Sequence, residues 1–171
     1  MAQRITAPPI PVIPEHTEYI KAGAITFGVE FRVLNDAVAA AAYKANKEML
    51  GRIAAMRAKE PRRVLNDSGV SIHVFGNLDG ELVEYLRFDC FVEDPHYHYI
   101  FPDQKVQDRI PLDTVAGGAA LPWTLERLQT RLRAMLTRAG AMELANQVDQ
   151  REIEAALPKV ALAAEKAKQS N

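Results

Sequence analysis

Between Tyr85 and Phe101 the chain alternates apolar and polar side chains around a single proline, and this stretch limits what the remainder can fold into. Leu86, Phe88 and Cys90 alternate with Arg87 and Asp89, the period of two that marks a strand with one buried face. Pro95 cannot donate to a ladder, so the chain folds back at Glu93-Asp94-Pro95 and returns along His96 to Phe101. A loop with an even number of residues sets Asp89 opposite His98, Cys90 opposite Tyr97 and Phe88 opposite Tyr99. One face then carries Leu86, Phe88, Cys90, Tyr97, Tyr99 and Phe101, and the other Arg87, Asp89, His96 and His98. An odd loop would mix histidines with Phe88 and Cys90, so segregation of polar from apolar favours the even one.

A lone hairpin is marginal in water and needs further strands or helices against its apolar face. Val70 to Phe75 is a second candidate strand, joined through Asn77-Leu78-Asp79-Gly80. A bulge after Asp79-Gly80 aligns Ile72 with Phe88 and Val74 with Leu86, and brings His73 beside Arg87 and Ser71 beside Asp89. Val106 to Ile110 closes a meander, and the amphipathic run Ile25 to Val33 extends it. Helices are expected over the alanine-rich stretch from Asn35 or Asp36 to about Lys59 and from Pro122 to Gly140. Further helices are expected over Ala141 to Gln147 and Asp149 to Leu157, with Pro158 opening a last helical piece. The Pro122 helix offers Trp123, Leu125, Leu128, Leu132, Met135 and Leu136 as a cover for the aromatic sheet face. At 171 residues and 48% hydrophobic the chain can bury one core without metal or disulfide staples. The expected architecture is α+β and two-layer: an antiparallel β-meander of about four to five strands packed against helices on one face. The expected organisation is a proline-rich arm over 1–20, a single α+β domain over 21–157, and a helical, partly ordered tail over 158–171.

The arm holds Pro8, Pro9, Pro11 and Pro14, four of the ten prolines, and can be neither helix nor central strand. An extended segment of this kind suits a protein partner or a second copy of the chain, or else packs loosely. Lys+Arg 21 against Asp+Glu 22 leaves a net charge of −1, so no global field recruits nucleic acid. The basic cluster Arg52, Arg57, Lys59, Arg62 and Arg63 suits the C-terminal end of the preceding helix. Apolar runs fall short of a membrane span, and the lone Cys90 excludes a disulfide framework and fits a reducing cytoplasm. No phosphate-binding loop, dinucleotide fingerprint or zinc-protease helix is present.

Chemistry is therefore sought where polar side chains converge. His73, Arg87, Asp89, His96 and His98 share one face of three adjacent strands in the preferred register. Three imidazoles, His73, His96 and His98, with Asp89 as fourth ligand or outer partner, suit one divalent transition metal of the zinc, iron or nickel type. Without a metal, Arg87, Asp89 and His98 suit a small ligand, and Asp89 beside His98 suits an acid–base pair. The competing reading is a solvated polar face whose members merely pair across strands. No motif positions a nucleophile: Cys90 points to the core and Ser71 has no glycine elbow.

The segments Gly69-Val70-Ser71-Ile72-His73-Val74-Phe75, Glu84 to Phe91, Pro95-His96-Tyr97-His98-Tyr99-Ile100 and Leu121-Pro122-Trp123-Thr124-Leu125 resemble uncharacterised bacterial proteins of a domain-of-unknown-function family. The resemblance spans about 20–157 and implies no activity, so it assigns no residue a role. Two function classes follow from the residues: a non-catalytic interaction or assembly protein, and a small enzyme or ligand-binding protein using the histidine face.

Overall fold

The computed structural model describes residues 2–44, 47, 50, 51, 54, 55, 66–78 and 80–170. Strands β1 (Gln3–Ile5), β2 (Glu18–Ala22), β3 (Ile25–Asn35), β4 (Asn66–Leu78), β5 (Glu81–Phe91), β6 (His96–Phe101) and β7 (Val106–Pro111) form one antiparallel sheet. Their spatial order is β1-β7-β6-β5-β4-β3-β2. The expected four to five strands therefore become seven. The two additions, β1 and β2, are edge strands of three and five residues, too short for alternation to announce them. Strand β2 turns into β3 through Gly23 at φ 61, the left-handed geometry that a two-residue hairpin asks of its first central residue.

Helix α1 (Asp36–Ala42) follows β3, capped by the Asn35 side chain, which accepts from the Val38 amide at 2.9 Å. The rest of the expected helix to Lys59, and the basic cluster with it, lies largely outside the described residues. After β7 come α2 (Thr114–Gly117), α3 (Ala120–Arg138), α4 (Met142–Gln147) and α5 (Gln150–Gln169). Helix α3 packs on β5 and β6, and α5 on β2, β3 and β4, so one face of the sheet is roofed from β2 to β6. Between them lie Phe27, Ile72, Leu86 and Phe88 from the sheet, with Leu128, Leu136, Ile153 and Val160 from the helices, all buried. Trp123 covers the end of this core, 6.4 Å from the Phe88 ring and 5.4 Å from Tyr97.

Pro158 does not divide the C-terminal helix. Helix α5 runs through it, and Pro158 sits on the solvent side while Leu157 and Val160 are buried. The carbonyl deprived of its amide partner can there bond to water, which lowers the cost of an interior proline.

The other face is crossed by the arm. Strands β1 and β2 occupy opposite edges, so the chain between Ile5 and Glu18 must traverse the sheet. Six strand spacings of about 4.8 Å make roughly 29 Å, and the thirteen residue-to-residue steps from Ile5 to Glu18 reach about 40 Å when extended. The crossing is recorded bond by bond. Gln107 on β7 donates to the Ala7 carbonyl at 3.1 Å, and Tyr43 to that of Pro8 at 3.4 Å. Arg32 on β3 donates to the carbonyls of Ile10 and Pro11, and the Ile13 amide donates to Glu30 at 3.3 Å. Prolines lack an amide hydrogen but keep their carbonyls, so this belt meets the sheet with acceptors matched to side-chain donors.

Candidate functional site

Beneath the belt lies a continuous layer of polar side chains from five strands, shut away from solvent. Glu30, Ser71, His73, Arg87, Asp89, His96, His98 and Gln107 are all buried. The expected face is therefore real, but it is neither solvated nor an open cleft. Strand pairing assembles it: His73 lies opposite Arg87 and Gly28, Ser71 opposite Asp89 and Glu30, and Arg87 opposite His98. The β4–β5 alignment is the one expected, though the register shift lies beside Val74 and Phe75 and not at the hairpin tip.

The β5–β6 register differs from expectation by two residues. Asp89 faces His96, Phe88 faces Tyr97 and Leu86 faces Tyr99, instead of Asp89 facing His98 and Phe88 facing Tyr99. The cause is Asp67 on β4, whose carboxylate accepts from the amides of Val92, Glu93 and Asp94 at 3.1, 3.1 and 2.8 Å. The chain begins to turn at Val92, one residue early, and each residue moved in the turn shifts the pairing by two. Because two is even, every side chain keeps its face.

The layer divides into two clusters. In the first, the His73 ring stands between two carboxylates, with Nδ1 2.6 Å from Glu84 Oε1 and Nε2 3.1 Å from Glu30 Oε1. Arg87 donates to Glu84 through Nε at 2.8 Å and Nη2 at 2.7 Å, the two-pronged geometry of a strong guanidinium pair. Burial pushes the Glu84 carboxyl up, but Arg87 and then His73 outweigh it and hold it at about 2. Burial opposes the Arg87 charge in turn, and Glu84 restores it above its ordinary value. Glu30 is likewise held low against burial, chiefly by His73. His73 thus has both ring nitrogens on carboxylates and, contrary to expectation, is not gathered with His96 and His98.

The second cluster gathers around Asp89. His96 Nε2 and His98 Nε2 each lie 3.3 Å from Asp89 Oδ2, while Ser71 donates to Oδ1. His96 Nδ1 lies 2.6 Å from the Asp94 carbonyl. Among the described residues, His98 Nδ1 is buried without a hydrogen-bond partner. Burial lowers the His98 imidazole to about 4 against the pull of Asp89. Burial would raise Asp89, yet the two histidines hold it well below the usual carboxylate range. Arg87, Asp89 and His98 do share a face, although Arg87 is spent on Glu84. On the opposite face, burial pushes the Cys90 thiol up to about 11, which keeps it a poor nucleophile near neutrality.

Glu30 and Glu84 escape a reading of the sequence for different reasons. Glu30 occupies a polar position of an expected strand whose sheet neighbours alternation cannot name. Glu84 is disguised: unbroken alternation with Leu86 would send it to the core, and the extra residue Tyr85 turns it over.

Glu84 makes acid stability a direct measure of the first cluster. Its folded pKa of about 2 lies below the ordinary 4.5, so its stabilisation is complete above pH 4.5 and is lost as pH falls toward 2. The loss is on the order of 3 kcal/mol at one pKa unit per 1.36 kcal/mol. Urea midpoints between pH 5 and 2 should fall more steeply for the native chain than for Glu84→Gln; parallel curves would remove Glu84 from this role.

A family model described as Domain of unknown function (DUF7700) matches residues 19–164, and the chain belongs to that family. No curated protein and no solved structure matches it. The family brings no ligand, metal or activity to these residues. Among the described residues no helix is long and apolar enough to cross a membrane.

Proposed function

We propose that this member of the DUF7700 family is a non-catalytic interaction or assembly module that works through its surface, in a reducing cytoplasm that suits its lone Cys90. The observation that carries this reading is the closure of the polar face. A substrate would have to lift the belt and strip its bonds to Arg32, Glu30 and Gln107 before reaching a histidine. Two cavities of the described surface lie elsewhere and are lined by none of the buried histidines.

One of them implicates the arm in assembly. Pro8, Pro9, Ile10 and Pro11, with Ala42, Tyr43 and Lys47, line an open, largely apolar cleft of about 610 Å³. A proline segment pinned along its length loses little further freedom on binding, which favours contact with a protein surface. A second copy of the chain is the occupant to test first. Light scattering of the purified protein should give a mass above the 19.0 kDa of one chain. Pro8→Asp with Pro11→Asp, both exposed, should return it to one chain while leaving circular dichroism unchanged. A mass of 19.0 kDa at every concentration, indifferent to the substitutions, would remove self-assembly through the arm.

A further inference from the structure

We propose that Asp89, His96 and His98 bind one divalent transition ion of the zinc type, with His73 excluded from the ligand set. Their donor atoms lie within 4.8 Å of one another on buried residues, a spread that small side-chain rotations close onto a single ion. The spacing within the cluster favours an ion over a simple ion pair. Charge-assisted N–H···O bonds settle at about 2.7 to 2.9 Å. A tetrahedral ion with bonds of about 2.0 to 2.1 Å holds its donors about 3.3 to 3.4 Å apart. Both imidazoles stand at 3.3 Å from the same carboxylate oxygen.

Tautomers point the same way. A backbone carbonyl only accepts, so the 2.6 Å contact with Asp94 places a proton on His96 Nδ1, and in the neutral ring the remaining lone pair, on Nε2, is the one that points toward Asp89. A lone pair facing a carboxylate is satisfied by a cation between them, and a second-nitrogen bond to a carbonyl is the usual way a metal-bound histidine is oriented. Ser71 fixes Asp89 through its other oxygen, leaving Oδ2 to the histidines. The guanidinium two residues before Asp89 on the same strand is already paired, since Arg87 is held by Glu84. His73 spends both nitrogens on Glu84 and Glu30, and so has none to offer. Two imidazoles and a carboxylate are a donor set that zinc accepts readily and magnesium or calcium does not.

The inference stands apart from the assembly reading, because a monomer can bind the ion and an oligomer can lack it. The test is zinc titration of the full chain, purified without an affinity tag and stripped with a chelator. Elemental analysis after gel filtration should find about one ion per chain, and a competing chelator should report the affinity. Asp89→Asn and His98→Ala should each weaken binding by at least about 100-fold, more than the 10- to 100-fold loss typical of outer-sphere changes. His73→Gln should leave affinity within a few-fold. If Asp89→Asn fails to fold, His98→Ala decides, since that ring makes a single polar contact through Nε2 and none through Nδ1. Substituted cobalt should give the intense visible absorption of a tetrahedral site, abolished by His98→Ala. Binding of less than about a tenth of an ion per chain, or binding unchanged in His98→Ala, would overturn the proposal and leave an imidazolium–carboxylate cluster in its place.

Discussion

Replacing Arg87 by methionine should lower the unfolding free energy by about 3 to 5 kcal/mol, the range for removing one partner of a buried ion pair. The guanidinium is buried and holds both Glu84 oxygens at 2.8 and 2.7 Å. Methionine keeps much of the volume and removes the charge, leaving a carboxylate that must be neutralised in place or hydrated by opening the belt. Most of the loss is therefore the stranded charge and not the missing contact. Glu84→Gln in the same background should recover part of it, because an amide needs no counter-ion. Urea denaturation of both single variants and the pair would show this as a loss in the double variant smaller than the sum of the two single losses. A loss under about 1 kcal/mol for Arg87→Met would mean that water already reaches Glu84.

Phe88→Ala should cost a similar 3 to 5 kcal/mol for an unrelated reason. Phe88 is fully buried, lies 5.9 Å from the Tyr97 ring and 6.4 Å from Trp123, and sits where β5 meets α3. Truncation removes the transfer energy of the ring and leaves a cavity whose walls belong to a sheet and a long helix, neither free to collapse. Unlike the loss at Arg87, this one should be nearly independent of pH between 5 and 8. A loss below about 1.5 kcal/mol, or one that tracks pH, would show that the aromatic face is not packed as described.

The apolar half of the molecule was legible because alternation reports it directly. Leu86, Phe88 and Tyr99 are buried under α3 as their spacing demands, with Cys90, Tyr97 and Phe101 packed at the margin. The polar half was legible only by face. His73, Arg87, Asp89, His96 and His98 do share one side, but which of them touch depends on a turn set by Asp67, a residue with no local sign of reaching three amides of another loop. The same holds for burial. Nothing in His96-Tyr97-His98 says whether its polar side meets water, and here both imidazoles are buried. The arm itself misled through its prolines. They exclude helix and central strand, which suggests a tail, yet the carbonyls of the segment, at Ala7, Pro8, Ile10 and Pro11, accept from Gln107, Tyr43 and Arg32.

The belt also imposes an order on folding. Gln3 pairs with Arg109 and Ile5 with Gln107, partners about a hundred residues apart, so β1 has nothing to dock on until β7 has taken its place. Closing so long a loop early is entropically costly, and contacts of this range form late. Glu30, Glu84, Arg87 and Asp89 can therefore stay hydrated while the meander assembles, and they surrender their water only as the arm comes across. The reverse step loses three residue pairs at a sheet edge and the belt's bonds to Gln107, Arg32 and Glu30, far less than the core must lose. Spontaneous admission of water to the buried charges should then be a local event, separable in rate from the unfolding of the helices on the other side.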